Sequence, residues 1–172
     1  MIISTRPRWA IAFASLALVI PVSGCSGGDN SEGDASRLPD LTLTLLDGSG
    51  GTEFNLGAAT DAPQVINLWA TWCAPCRAEL PAFDDVAAEQ GDAIDMLGVN
   101  VAEDLERAEA LIEELGLTFP QAVDPDGDVS AELEVAGLPS TIFATADGEV
   151  LEIHTGPLTE DSLTDKINDL FG

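Results

Sequence analysis

Hydrophobic and polar positions alternate with the period of a β-strand soon after residue 40. Residues 41–45 (Leu-Thr-Leu-Thr-Leu) put every second side chain on an apolar face, and residues 52–56 can return as the second arm of a hairpin. The glycine-rich residues 47–51 supply the turn between them. Residues 65–70 are almost continuously apolar, which predicts a central strand covered on both faces.

The rest of the chain alternates between helical and extended periodicity. Apolar spacings of three and four predict one helix from the cysteine pair to about residue 90 and another over residues 105–115, which Gly116 ends. The other predicted elements are strands over 94–101, 119–123, 140–145 and 149–155, a short helix over 129–135 and a last helix over 159–171. A strand, a helix and a strand in succession imply a parallel crossover, so the fold class is α/β.

The N-terminus has a different pattern. Two arginines precede an apolar run over residues 9–22, which is shorter than the roughly 20 residues of a membrane span and typical of a secretory signal peptide. The following Val22-Ser23-Gly24-Cys25 resembles the lipobox of bacterial lipoproteins, in which the cysteine is acylated and becomes the new N-terminus. We therefore expect a signal peptide over residues 1–24 and a lipid anchor on Cys25. An ordinary secretory signal with an unmodified cysteine is the alternative.

Composition changes after the leader. Residues 25–37 are rich in glycine, serine and acids and lack apolar periodicity, which predicts a flexible tether to a single domain over residues 38–172. The whole chain has a formal charge of −25, and only four of its basic residues follow the leader. Such a surface repels nucleic acid and anionic lipid, so we expect no nucleic-acid partner. The charge serves solubility in a salty environment or steers basic partners, and both interpretations stay open.

The candidate chemistry lies where the buried strand gives way to the first helix. Residues 72–76 read Trp-Cys-Ala-Pro-Cys. A thiol at a helix N-terminus meets unpaired N–H groups and the positive end of the helix dipole, both of which favour the thiolate, so Cys73 is the expected nucleophile. Cys76 follows roughly one turn later, close enough to form a disulfide and release whatever Cys73 has captured. The redox-active pair needs no further cofactor.

The order of elements resembles the thioredoxin fold, and within it the extracytoplasmic TlpA/ResA/DsbE family. Three motifs occur in the expected order: residues 67–76 with the cysteine pair, the central insert over residues 98–120, and Gly137-Leu138-Pro139-Ser140-Thr141. The resemblance implies a thioredoxin-like three-layer α/β/α fold with a central mixed sheet, an N-terminal β-hairpin and a TlpA/ResA-type central insert.

The same resemblance implies the surroundings of the cysteines. In the family, the proline matching Pro139 is cis and lies beside the cysteine pair, and the backbone of the preceding residue, here Leu138, pairs with a substrate strand. We expect Trp72 to shield the disulfide and contact the substrate. Ala74 and Pro75 complete the active-site motif.

The activity that the resemblance implies is that of an enzyme, a thiol-disulfide oxidoreductase that reduces protein disulfides. It would act on apocytochrome c or other envelope proteins, at the outer face of the bacterial cytoplasmic membrane, as a monomer kept reduced by a membrane electron donor of the CcdA/DsbD type. The alternatives are a thiol peroxidase related to peroxiredoxins and a non-catalytic binding or metal-chaperone protein.

Two polar positions near the cysteines matter for proton transfer. Asn67 stands where thioredoxins have a buried aspartate that helps to move the proton of the second cysteine, and an amide cannot titrate. Glu79 is a candidate replacement, but a solvated helix residue is the favoured interpretation. The chain has a single histidine, His154, which with the cysteine pair falls short of the four ligands of a structural zinc site, so we expect no metal.

Overall fold

The computed structural model describes residues 36–46, 52–103 and 105–172. The predicted signal peptide, Cys25, most of the predicted tether and the turn of the first hairpin lie outside these residues. The strands within them are β1 (Thr42–Leu45), β2 (Thr52–Asn55), β3 (Gln64–Trp69), β4 (Asp95–Val101), β5 (Gln121–Asp124), β6 (Ser140–Ala144) and β7 (Val150–Thr155). The helices are α1 (Ala74–Gln90), α2 (Leu105–Leu115), α3 (Asp128–Glu132) and α4 (Glu160–Phe171), and a 3₁₀ turn (Gly91–Ala93) follows α1.

The described strands form one mixed sheet in the order β2-β1-β5-β4-β3-β6-β7. Strands β3, β4 and β5 are parallel, and the remaining pairings are antiparallel. The predicted N-terminal hairpin and the α/β class are confirmed, with element ends shifted by a few residues. Because β3, β4 and β5 run in the same direction, the loops that follow them lie at one edge of the sheet.

The first described residues of the chain contact the sheet. The carbonyl of Ser36 accepts a hydrogen bond from the Val150 amide at 2.8 Å, and Arg37 forms a β-bridge with Glu149. These contacts join residues 36 and 37 to the start of β7, and Leu38, which follows them, is buried.

The two faces of the sheet are covered unequally. Helices α1, α2 and α4 pack on one face, against side chains such as Val65 and Phe143. The short helix α3 and the segment around Leu38 cover the other face, against Ile66 and Ile142. Alternate side chains of β3 and β6 thus point into different cores, as the strand period requires. In the described part of the chain, we find no helix with the length and apolar character needed to cross a membrane.

The end of β3 is held by a buried contact across the sheet. The indole N–H of Trp69 donates to Gln121 Oε1 at 3.0 Å, and Gln121 Nε2 donates to the carbonyl of Phe119 at 3.3 Å. Gly98 makes room for this glutamine, since a Cβ there would lie 2.1 Å from Gln121 Oε1. The absence of a side chain at residue 98 therefore helps to hold the strand that leads to the cysteines.

Replacing this glycine should destabilise the domain. In Gly98→Ala the new methyl group displaces Gln121 from Trp69, and we expect the free energy of unfolding to fall by about 1–3 kcal/mol. Urea titration of the domain measures the loss. Gly137→Ala is the control, because a Cβ at residue 137 meets no atom within 4 Å. Equal stability of the two variants would contradict the assigned packing.

Candidate active site

Cys73 and Cys76 are joined by a disulfide at the N-terminus of α1. Cys73 is the N-cap residue, and its Sγ accepts a hydrogen bond from the backbone N–H of Cys76 at 3.3 Å. Its own N–H donates to the carbonyl of Ala70 at 3.1 Å, which closes the turn between β3 and the helix. Pro75 lies in the first helical turn, where a missing N–H costs nothing. The local sequence thus places one sulfur against unpaired amides of a helix end.

Exposure differs sharply among neighbouring residues of this turn. Trp72 is 66% exposed, Cys73 5% and Cys76 0%, whereas Trp69 is fully buried, as its position in the central strand requires. Ala74 and Pro75 are exposed beside the pair. A partner that approaches the disulfide therefore meets the indole first and reaches Cys73 before Cys76.

The loop entering β6 packs against the same core. The Leu138–Pro139 peptide bond is cis, as the resemblance implies. Leu138 is half-buried and packs against the cluster that contains both cysteines. The carbonyl of Pro139 accepts from the Gly156 amide at 2.9 Å, and the Ser140 hydroxyl donates to the Gly137 carbonyl at 2.8 Å. These bonds hold the proline loop at the edge of the sheet where the cysteines lie.

Glu79 is buried, so the interpretation of this residue as a solvated helix side chain is wrong. It is 4% exposed. Its Oε1 accepts from Asn67 Nδ2 at 2.8 Å, and its Oε2 accepts from the Leu158 amide at 2.8 Å. Burial raises the pKa of Glu79, and the hydrogen bonds from Asn67 and Leu158 oppose the rise without cancelling it. A carboxyl that titrates above its ordinary range therefore lies under the cysteine motif.

Helical spacing explains why Glu79 lies there. It follows Cys76 by three residues on α1, so the two side chains share a face of the helix. Cys76, Leu80 and Phe83 on that face are buried in the core. The spacing was visible in the sequence, but the general preference of glutamate for solvent outweighed it.

A second buried carboxylate lies on the other side of the turn and was missed from the sequence. Glu103, which follows β4, accepts from the Thr71 amide at 2.6 Å, from the Thr71 hydroxyl at 2.5 Å and from Asn100 Nδ2 at 3.0 Å. Desolvation alone would raise the pKa of Glu103, but these hydrogen bonds and the positive charge of Arg107 outweigh it, so the pKa is lowered. This group is held as a carboxylate.

Metal binding finds no ready site here. Among the residues that the structure describes, no three His, Cys, Asp or Glu side chains lie close enough together to hold a metal ion. The groups gathered at this edge are two sulfurs, an exposed indole, a cis-proline loop and two buried carboxyls. Such a set is suited to thiol–disulfide exchange with a polypeptide.

Comparison with known proteins places this geometry in a family. The chain matches the Redoxin family over residues 32–169. It is 34% identical over 131 residues to the thiol-disulfide oxidoreductase ResA of Geobacillus kaustophilus, a match that covers 74% of this chain and 72% of that protein.

Solved structures agree with the sequence match. A secreted Mycobacterium tuberculosis disulfide oxidoreductase, described as homologous to DsbE of E. coli, superposes with a TM-score of 0.66 at 27% identity, covering 76% of this chain and 96% of that one. The pneumococcal exposed lipoprotein thioredoxin of Streptococcus pneumoniae superposes with a TM-score of 0.67 at 25% identity, covering 77% and 100%. The chain therefore belongs to the Redoxin family and is a thiol-disulfide oxidoreductase of the ResA/DsbE type.

Proposed function

We propose that this protein is a lipid-anchored reductase of protein disulfides that works outside the cytoplasm. The observation that carries the catalytic part of the proposal is the unequal placement of the two sulfurs. Cys73 caps the helix and is the less buried of the pair, whereas Cys76 is enclosed. Cys73 is therefore assigned as the nucleophile and Cys76 as the resolving thiol.

The reaction begins with the dithiol form. The Cys73 thiolate attacks one sulfur of a substrate disulfide, a mixed disulfide forms, and the other substrate sulfur leaves as a thiolate that takes up a proton. Cys76 then loses its proton and attacks Cys73 Sγ, which forms the Cys73–Cys76 disulfide and releases the second substrate sulfur as a thiol. The substrate gains two electrons, both from the protein sulfurs, and two protons. One of these protons balances the proton that Cys76 loses, and the other balances the proton that Cys73 released to water when its thiolate formed.

Glu79 is assigned as the group that accepts the proton of Cys76. Both groups are enclosed on the same face of α1, where bulk water has little access. A carboxylate whose pKa is raised accepts a proton more readily than an ordinary surface glutamate does. Asn67 cannot titrate and instead holds the carboxyl in place through its 2.8 Å hydrogen bond.

The substrate surface is assigned to Trp72 and the proline loop. The indole of Trp72 offers a large exposed apolar area beside Cys73. The backbone of Leu138, next to the cis peptide bond with Pro139, can pair with an extended substrate segment, as the family resemblance implies. Ala74 and Pro75 border the sulfurs from the first turn of α1.

The reducing direction and the partners follow from the resemblance. In this chain the dipeptide between the cysteines, Ala74-Pro75, resembles that of reducing family members. On this basis the substrate is apocytochrome c or another envelope protein with a disulfide. Two electrons per cycle are then supplied by a membrane dithiol carrier of the CcdA/DsbD type.

Attachment to the outer face of the cytoplasmic membrane is proposed from the N-terminal sequence. The lipobox-like motif that ends at Cys25 provides the acylation site, and the glycine- and serine-rich composition of the residues that follow is typical of a linker. The similar S. pneumoniae protein is described as an exposed lipoprotein, and the similar M. tuberculosis protein as secreted.

The reduction potential of the Cys73–Cys76 couple tests the direction. We expect a value near that of thioredoxin, about −270 mV, because a reductase must give up its electrons readily. The measurement equilibrates the protein with dithiothreitol buffers and follows tryptophan fluorescence. A value near the roughly −120 mV of strong oxidants would show that the protein introduces disulfides instead.

Trapping of substrates tests the roles of the cysteines and the anchor. In cells expressing full-length Cys76→Ser, the mixed disulfide cannot be resolved, so we expect covalent adducts of Cys73 with substrate proteins on non-reducing gels. The adducts should sediment with membranes and move to the soluble fraction when Cys25→Ser is added. Adducts that persist in the variant lacking both Cys73 and Cys76 would contradict the assigned nucleophile, and adducts that stay with membranes without Cys25 would contradict the anchor.

Replacement of Glu79 tests the proton step. We expect Glu79→Gln to slow the release of substrate from the mixed disulfide by about 10²-fold or more, because the second thiol loses its proton acceptor. Stopped-flow fluorescence with a model disulfide peptide measures this step. Glu89→Gln is the matched control, since Glu89 is exposed on the same helix.

The stability of the same variant has an expected pH dependence. Folding raises the pKa of Glu79, so the protonated carboxyl favours the folded state. This stabilisation is complete at pH values below the ordinary pKa of 4.5 and is lost once the pH exceeds the raised pKa of the folded protein. The wild type should lose stability relative to Glu79→Gln as the pH rises through this window, and urea titrations would follow the difference. A difference independent of pH would contradict the buried titration.

A further inference from the structure

We propose that Glu103 is a positioning residue for the reaction, because its carboxylate holds the turn that presents Trp72 and Cys73 to a polypeptide substrate. The inference rests on the proposed function and deepens it by adding a residue on which selectivity for proteins depends. Glu103 acts through Thr71 rather than through contact with substrate.

The Glu103 carboxylate replaces a strand hydrogen-bond acceptor just beyond the point where the pairing of β3 and β4 ends. Trp69 of β3 lies opposite Asn100 of β4 in the last pair of the parallel register. Within the sheet, the next amides of β3 would find carbonyl acceptors on β4. Instead, Glu103 Oε2 accepts the Thr71 amide at 2.6 Å, and Oε1 accepts the Thr71 hydroxyl at 2.5 Å. Both oxygens are therefore engaged by a single residue, two positions before Cys73.

The carboxylate is itself held from behind. Asn100, which is fully buried, donates from Nδ2 to Glu103 Oε2 at 3.0 Å. Arg107, one turn into α2, supplies a positive charge nearby. Three donor groups and a cation thus surround a carboxylate that is 9% exposed. This arrangement restricts the side chain of Glu103 and, through it, the backbone of Thr71.

The backbone next to Glu103 has an unfavourable conformation. The preceding residue, Ala102, has a φ of +55°, in the left-handed region that non-glycine residues rarely occupy. Such a conformation is unfavourable for a residue with a Cβ atom and persists only where the surroundings impose it. The chain is therefore bent at Ala102, directly after β4, in a way that brings the Glu103 carboxylate to Thr71.

An open surface lies above the hydrogen bonds between Glu103 and Thr71, which we call the clamp. A cleft of about 280 Å³ is lined by Trp72, Ala102, Glu103, Arg107 and Pro125. The exposed indole forms one wall, so the clamp lies beneath the surface that a polypeptide contacts. A misplaced indole would weaken contacts with a polypeptide, whereas a small reagent that needs only the Cys73 sulfur would be unaffected. Glu103 should therefore matter for protein substrates and little for small ones.

The test compares protein and small-molecule reactions in three variants. Glu103→Ala removes both acceptors, Glu103→Gln keeps one acceptor oxygen for the Thr71 amide, and Thr71→Val removes only the hydroxyl contact. Glu106→Gln is the control, because Glu106 is an exposed acid in the first turn of the adjoining helix. Exchange is followed in both directions, as insulin reduction by the dithiol form and as oxidation of a dithiol peptide by the disulfide form. The rate at which iodoacetamide alkylates reduced Cys73 measures the reactivity of the sulfur without contacts to a polypeptide.

We expect Glu103→Ala to lower kcat/KM for exchange with polypeptides by about ten- to a hundredfold, mainly through KM. Alkylation should stay within about twofold of the wild type, and Glu103→Gln should recover part of the loss by the retained hydrogen bond. Thr71→Val, which keeps the amide contact, should show a smaller loss and provides the measurement if Glu103→Ala does not fold.

Several results would overturn the inference. One such result is a kcat/KM for polypeptide exchange that is unchanged in both Glu103→Gln and Thr71→Val. Another is a decrease in the alkylation rate as large as the decrease in kcat/KM for polypeptides. A wild type that oxidises the dithiol peptide but does not reduce insulin would overturn the proposed direction of the reaction. In that case the ratio of variant to wild-type peptide oxidation would still decide the role of Glu103.

Discussion

The structure depends on the complete burial of β3. Every residue of this strand is enclosed, because β4 and β6 pair with its two edges and helices or loops cover both faces. A strand held on four sides has little freedom to shift its register or its end. The turn after Trp69 therefore starts from a fixed point, and α1 begins at a fixed distance from the sheet. The burial of this strand therefore helps to fix the position of the sulfur at the helix N-terminus.

Two carboxyl groups flank the turn and differ in their electrostatics. Glu79 lies under the second cysteine, where burial dominates and its pKa is raised. Glu103 lies beside the approach to the first cysteine, where desolvation is outweighed by the hydrogen bonds from Thr71 and Asn100 together with the charge of Arg107, so its pKa is lowered. The difference comes from the deeper burial of Glu79 and from the larger number of donors, together with a cation, around Glu103. One group is suited to exchanging a proton, and the other to holding a backbone segment as a permanent anion.

Much of the fold was predictable because its signals are local. The alternation in β1, the continuous apolar run of β3 and the spacings in α2 each follow from the period of the element in which they occur. The cysteine pair was predictable for the same reason, since a helix N-terminus and a spacing of three residues are properties of a short segment. Glu79 was misjudged because its burial depends on Asn67 and Leu158, which come from a strand and a distant loop. Glu103 carried no local signal, since only the parallel pairing of β3 and β4 brings it to Thr71.

The sequence by itself determined the class of chemistry, the cysteine pair that forms the disulfide and the order of the secondary-structure elements. These properties are encoded in residue type and in spacings shorter than one helix or strand. Only the tertiary structure decided which polar side chains are enclosed, which way each pKa moves, and that the loop at Pro139 packs into the core of the cysteines. Burial and electrostatics are sums over neighbours from the whole chain, and those neighbours exist only once the sheet has assembled.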